Sequence, residues 1–183
     1  MKKDEDFITE TKNWIQNVVI GCNFCPFAAK EFNQDHIHYE VHYSADRRKV
    51  LELLSFEFNR LDQTDEIETT IIILPESFKD FKSYLELVDL SNSFLKDIGK
   101  EGIYQFASFH PDYLFRGSSK NDPSNYTNRS VYPLIQILRE SSITNALEHF
   151  NKPESIPERN ISFAHKKGLN YMQVLLQSCY LRE

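Results

Sequence analysis

Two stretches combine residue types that can do chemistry. The first is GCNFCPFAAKEF, residues 21–32, where Cys22 and Cys25 stand three apart and Pro26 follows the second. Proline suits the first position of a helix, where its missing N–H would be unpaired anyway. That puts Cys25 at the N-cap of a short helix, where free amides and the dipole stabilise a thiolate. The pair reads as a redox couple, half of a metal site, or a single activated thiol. The plain alternative is burial as a small apolar side chain, a common fate of free cysteine. A thioredoxin-like motif follows a strand, and here a helix precedes it.

The second stretch is FASFHPDYLFRGSSKNDPSNYTNRS, residues 106–130. It starts as an aromatic strand and breaks at His110-Pro111. Asp112 lies two residues on, and a carboxylate near a histidine orients the ring for general acid–base work. His-x-Asp is also compatible with metal ligation. Tyr113 and Tyr126 add donors on apolar bodies. Asn125, Asn128 and Arg129 lie just ahead of a helix expected to start at Tyr132-Pro133. Amides at that helix start, with Arg129, would hold a phosphate or carboxylate. Arg139, inside that helix, and Arg159, near the start of a later one, can reach the same pocket. The bland reading is a well-tied loop, since Asn, Asp, Ser and Pro bond local backbone in turns. Arg116 and Arg129 would then make surface pairs of little energy.

A third pattern is HIHYEVHY, residues 36–43. Strict alternation puts Ile37, Tyr39, Val41 and Tyr43 on one face of a strand and His36, His38, Glu40 and His42 on the other. Three His and a Glu can ligate a metal, and Cys22 and Cys25 could join them. The spacing matches no common zinc motif, so a solvated strand face is preferred and no metal is assigned.

These groups need elements to position them. Residues 4–20 read as a helix with Phe7, Thr11, Trp14, Ile15, Val18 and Val19 on one stripe and Gly21 as its stop. Ser44 or Asp46 caps a second helix to about Leu61, with Val50, Leu53, Leu54, Phe58 and Leu61 inward. TTIIILP is an apolar run suited to a central strand covered on both faces. A third helix covers about residues 78–98, with Phe81, Leu85, Val88, Leu95 and Ile98 inward and Gly99 as the stop. IYQFASF is the third strand. After the loop comes the helix from Tyr132, with Leu134, Ile137 and Leu138 inward and Arg139-Glu140 closing its second turn. Ser141 or Ser142 recaps a continuation with the stripe Ile143, Ala146, Leu147 and Phe150. A last helical region starts near Ser155 or Pro157. Right-handed crossovers would make the three strands parallel, with ligands gathering beyond their carboxyl ends.

The totals limit the function classes. A chain of 183 residues suits one domain with its own core. With 5 Gly a glycine-rich phosphate loop is not expected, and no cofactor is assigned. The net charge of −6 argues against a nonspecific nucleic-acid binder. No apolar run suits a membrane span, and MKKDEDF is no signal peptide. An odd three Cys without an export signal fits a cytoplasmic protein with reduced thiols.

TKNWIQNVVIGCNFCPFAAK, ETTIIILP, FASFHPDYLF, NYTNRSVYPLIQILRE and IPERNI together resemble the bacterial family known as domain of unknown function 1415. The resemblance covers Thr11 to Ile161 and supplies no reaction. It implies that Trp14, Asn23, Cys25, Pro26, His110 to Tyr113, Asn125, Tyr126, Asn128, Arg129, Pro133, Arg139, Glu140, Arg159 and Asn160 belong to its motifs. The position of Cys22 is usually apolar in that pattern, which leaves Cys25 as a single thiol. The histidine-rich strand lies outside the motifs.

The fold expected is α/β: a three-layer or two-layer sandwich, with a small, mainly parallel sheet of three or more strands and helices packed on it. One functional expectation is an enzyme acting on a small anionic molecule. Cys25 would be the nucleophile and His110 the acid–base group oriented by Asp112. Tyr113, Asn125, Tyr126, Asn128, Arg129, Arg139 and Arg159 would hold the substrate. This requires Cys25 and His110 to share a pocket. The alternatives are a non-catalytic metabolite-binding or protein-interaction module, and a metal-dependent hydrolase using His110 and Asp112 or the His36–His42 face.

Overall fold

The computed structural model describes residues 2–148 and 152–182. The first helix, α1, spans Asp4–Trp14 and continues as a wider π-helical segment over Ile15–Ile20. The widening shows in the amide of Gly21, which donates to Gln16 O rather than one residue nearer. A Cβ on Gly21 would lie 2.3 Å from Asn17 O. Glycine is therefore required here for close approach, and its φ of −60° is not left-handed. The short α2 covers Ala28–Asn33.

Strand β1, Ile37–Val41, leads to α3, Arg47–Gln63, whose N-cap Asp46 accepts from the Arg48 amide. Strand β2, Thr69–Ile73, is buried along its length, as an apolar run covered on both faces should be. Helix α4, Phe81–Asp97, is capped by Asp80 and leads to β3, Tyr104–Phe109. Its inward residues are Tyr84, Leu87, Ser91 and Leu95, whereas Leu85 and Ile98 are exposed. The expected stripe is thus turned, because Tyr84 takes a core position. Its hydroxyl donates to Leu134 O and accepts from the Phe109 amide.

The main correction concerns residues 132–140. They do not start a helix: Leu134–Arg139 is strand β4, inserted between β2 and β3. The order is β1-β2-β4-β3, with β1 parallel to β2 and β4 antiparallel to both neighbours. The sheet is therefore mixed, not mainly parallel. LIQILR places Ile135 and Ile137 on one face and Leu134, Gln136 and Leu138 on the other. Such a short run, apolar on both sides, has no period that separates strand from helix. Pro133 is tolerated because it precedes the strand, and its carbonyl accepts from the Leu74 amide.

Helix α5, Glu140–Glu148, follows β4 directly, with Ile143, Ala146 and Leu147 half-buried. Phe150 lies outside the described residues. Helices α6, Ile156–Lys167, and α7, Leu169–Gln177, complete the chain. Alternate residues of β2, with Leu74 just after it, divide the core. Ile72 and Leu74 join Leu54, Phe58 and Tyr84 under α3 and α4. Ile71 and Ile73 join Trp14, Val18 and Met172 under α1 and α7. Beside this second core, the buried carboxylate of Glu10 accepts from Lys2 Nζ at 2.5 Å, the Leu181 amide at 2.9 Å and the Tyr132 hydroxyl. It thereby ties both chain ends to the entry of β4. No described helix is long and apolar enough to cross a membrane.

Gly21→Ala should destabilise the protein by about 1–3 kcal/mol, the usual cost of overpacking a close contact. Urea unfolding measures this, and an unchanged midpoint would show that the π segment relaxes without cost.

Candidate functional site

His110 is fully buried. Its Nε2 lies 3.0 Å from Phe78 O, and its Nδ1 accepts the Asp112 amide at 3.0 Å. Those partners set the tautomer: Nε2 carries the proton. The ring packs between Phe81 and Tyr84, with centroids 5.2 and 5.0 Å away. Burial lowers its pKa below 6.5, opposed by the bond to Phe78 and by Asp112 and Asp80. Asp112 supports the ring through its backbone amide, while its residue is exposed and lines a separate open cleft with Lys79, Pro111 and Tyr132. With both nitrogens engaged by backbone, the imidazole acts as a pin between the β3 end and the turn before α4.

The polar residues after it tie the loop down. Buried Asn125 accepts from the Phe115 amide and the Ser118 hydroxyl and donates to Ser119 O. Arg129 donates to the carbonyls of Tyr113 and Lys120 and lies 4.6 Å over the Tyr126 ring. Tyr113 packs on Phe81 and Phe115, and burial raises its pKa. Trp14 Nε1 donates to Arg129 O at 2.9 Å, joining the loop to α1. The helix whose amides were to complete an anion site is replaced by β4. Arg139 also spends its guanidinium on backbone, at Leu61, Thr64 and Ile67.

Arg159 does the same at a different place. It donates to Asn23 O at 2.5 Å, and its neighbour Asn160 donates to Phe24 O at 2.7 Å. Asn23 has a left-handed φ of 55°. So two adjacent residues of α6 hold the turn that presents Cys25. Cys25 is not an N-cap: α2 starts at Ala28, with Phe27 before it and the Cys25 carbonyl accepting the Ala28 amide. The thiol is half-buried, whereas Cys22 and Cys179 are buried. Burial raises the pKa of Cys22 and pushes that of Cys179 up to about 11.

Cys25 lines two cavities. The larger in apolar surface has a volume of about 330 Å³ and lies on the sheet face under α1, α2 and α5. Its floor is Ile37, Ile71, Ala107, Phe109 and Leu138; its walls include Trp14, Val19, Phe27 and Ile143. Its polar lining comes from Glu31, Gln105, Arg139 and Ser142 beside Thr69 and Gln136. Gln136 Nε2 donates to Thr69 Oγ1, which itself donates to Ile137 O. Glu68 also lines it, and Glu68 Oε1 is shielded from solvent without a hydrogen-bond partner among the described residues. The second cavity, about 380 Å³, is lined by Cys25, Phe24, Phe115, Asn128, Pro157 and Asn160 among others. Val19, Cys25 and Phe109 form the partition between the two.

Of the residues singled out from sequence, Cys25 therefore shares the sheet-face cavity with Arg139 and the second cavity with Asn128, Asp112 faces another, and His110 lines none of these. The sheet-face cavity sits toward the amino ends of β1 and β2, the opposite end from that expected, and runs the length of β3. Glu68 and Gln136 went unnoticed, although each is a polar residue beside or inside an apolar strand.

Over residues 6–174 the chain matches the model of a family described as protein of unknown function (DUF1415). No curated protein and no solved structure matches it.

Two outcomes follow from this geometry. With His110 and His42 both held below the ordinary histidine value by burial, the unfolded chain binds more protons below 6.5. Their stabilisation is complete above pH 6.5 and is lost as pH falls through that value. The slope is at most about 1.4 kcal/mol per pH unit for each group. Urea unfolding between pH 7.5 and 5.5 reads it, and His42→Gln should remove part of it. Separately, one thiol, Cys25, should be alkylated first in the native protein. Arg159→Ala should speed that reaction about fivefold or more by loosening the turn; equal rates in both proteins would contradict the pinning.

Proposed function

Since the chain belongs to the DUF1415 family of unknown function, we propose its role from the sheet-face cavity: the protein binds a small, largely apolar molecule with a hydrogen-bond-donating end. The observation that carries this is a mainly apolar cavity of about 330 Å³ whose lining includes Glu68, a residue with its Oε1 unpartnered among the described residues. Small-molecule sites have volumes of about 300–1,000 Å³, apolar walls and a few placed polar groups. A buried acceptor left unpaired costs free energy, which a ligand donor would recover. The apolar walls would contribute the rest through burial of the ligand body.

An anionic substrate has weaker support. It needs free cationic donors, and Arg129, Arg139 and Arg159 give theirs to carbonyl groups. The Cys25–His110 couple likewise lacks an imidazole nitrogen free for a thiol. The reading is therefore one of binding, with Cys25 as the nucleophilic group of the cavity wall.

Trp14, the sole tryptophan, lines the cavity, so its fluorescence reports occupancy. Hexylamine should produce a saturable change, and hexanoate, of equal length, should bind about tenfold or more weakly. Ala107→Phe, which fills the floor, should abolish the response while the circular dichroism stays unchanged. Equal affinity for the two probes, or full binding by the filled variant, would defeat the proposal.

A further inference from the structure

On the opposite face of the sheet, β1 and α3 bring three ligand-type side chains together. Their atoms are His38 Nε2, a carboxylate oxygen of Glu40 and one of Glu57, and all lie within 4.8 Å of one another. His38 Nε2 is 3.5 Å from Glu40 Oε2 and 3.7 Å from Glu57 Oε2. Neither contact is a hydrogen bond, and Nε2 is shielded from solvent without a hydrogen-bond partner among the described residues. We propose that His38, Glu40 and Glu57 form a binding site for one divalent transition cation of the zinc type, with the fourth position open to water.

The spacing argues for a tetrahedral ion. Zinc takes nitrogen and carboxylate oxygen at about 2.0–2.2 Å, so the edges of its tetrahedron are about 3.3–3.6 Å. The two distances to His38 Nε2 are within a few tenths of an ångström of that edge. An octahedral ion at similar bond lengths needs edges of about 3 Å, a larger contraction. An imidazole also favours a transition ion over magnesium or calcium.

The surroundings are arranged for it. Glu57 is 1% exposed, yet its carboxylate stands on the apolar stripe of α3. Burying such a charge is costly unless it is bonded. Thr70 Oγ1 donates to its Oε2, and Arg60 Nε is 3.2 Å from both of its oxygens. A carboxylate offers about four acceptor directions. These contacts take both directions of Oε2 and one of Oε1, so an ion bound at Oε2 displaces the 3.2 Å Arg60 contact there, while half-exposed Arg60 keeps its bond to Oε1. They also orient the group as outer partners orient ligands in metal sites. His38 and Glu40 are partly exposed at the sheet edge and give the ion a way in. His42, beyond Glu40 on the same face, is not one of the three and serves as a control.

The test is calorimetric titration of the full chain with zinc, and cobalt absorption in parallel. Wild type should take up one equivalent, and the cobalt spectrum should lack sulfur charge-transfer bands. His38→Gln and Glu40→Gln, both partly exposed, should each weaken binding about tenfold or more without loss of fold. His42→Gln and Cys25→Ser should bind as wild type does. Absence of binding at 100-fold excess metal over about 1 µM protein would overturn the site. So would uptake unaffected by His38→Gln and Glu40→Gln, or cobalt bound through sulfur.

Discussion

Strand β4 returns between β2 and β3, and most of the molecule depends on how that return is made. A strand in the middle of a sheet must bring its connection over the end of its neighbours, where backbone polar groups leave solvent. Buried N–H and C=O groups need partners. The segment from His110 to Pro133 therefore spends its polar side chains on backbone. His110 serves Phe78 and Asp112; Asn125 serves Phe115 and Ser119; Arg129 serves Tyr113 and Lys120. Trp14 then locks the loop to α1 from across the core.

This explains why a loop rich in chemical residue types need not be the site of chemistry. The same His, Asn and Arg that suit an acid–base centre also suit the capture of carbonyls and amides. What separates the two uses is whether donors and acceptors remain free. In the loop they are largely consumed. Beside the sheet they are not: Oε1 of Glu68, a residue lining the cavity, and His38 Nε2 beside two carboxylates are both shielded and unpartnered among the described residues. The cavity floor of Ile37 and Ile71 and the cluster of His38 and Glu40 lie on opposite faces because β-strand neighbours point to opposite sides, so ligand and ion would not meet.

Motifs far apart in sequence also acquire a physical relation. IPERNI carries Arg159 and Asn160, whose donors hold the carbonyls of Asn23 and Phe24. That contact shapes the turn before Cys25 and gives the thiol its place in the partition between two cavities.

Local order was largely legible in the residues themselves. The stripe of α1, the Asp46 cap of α3, the alternation of β1 and the doubly covered β2 all rest on neighbours within a few positions. The composition of the loop marked it as ordered, and the block motifs marked its family. Tertiary structure alone decided that LIQILR is a strand, because six residues with apolar side chains on both faces have no period of their own and take the geometry their partners offer. It alone placed both nitrogens of His110 against backbone partners. It alone brought Glu57 of α3 to His38 of β1, since a carboxylate on an apolar stripe shows its meaning only when the opposing face is known.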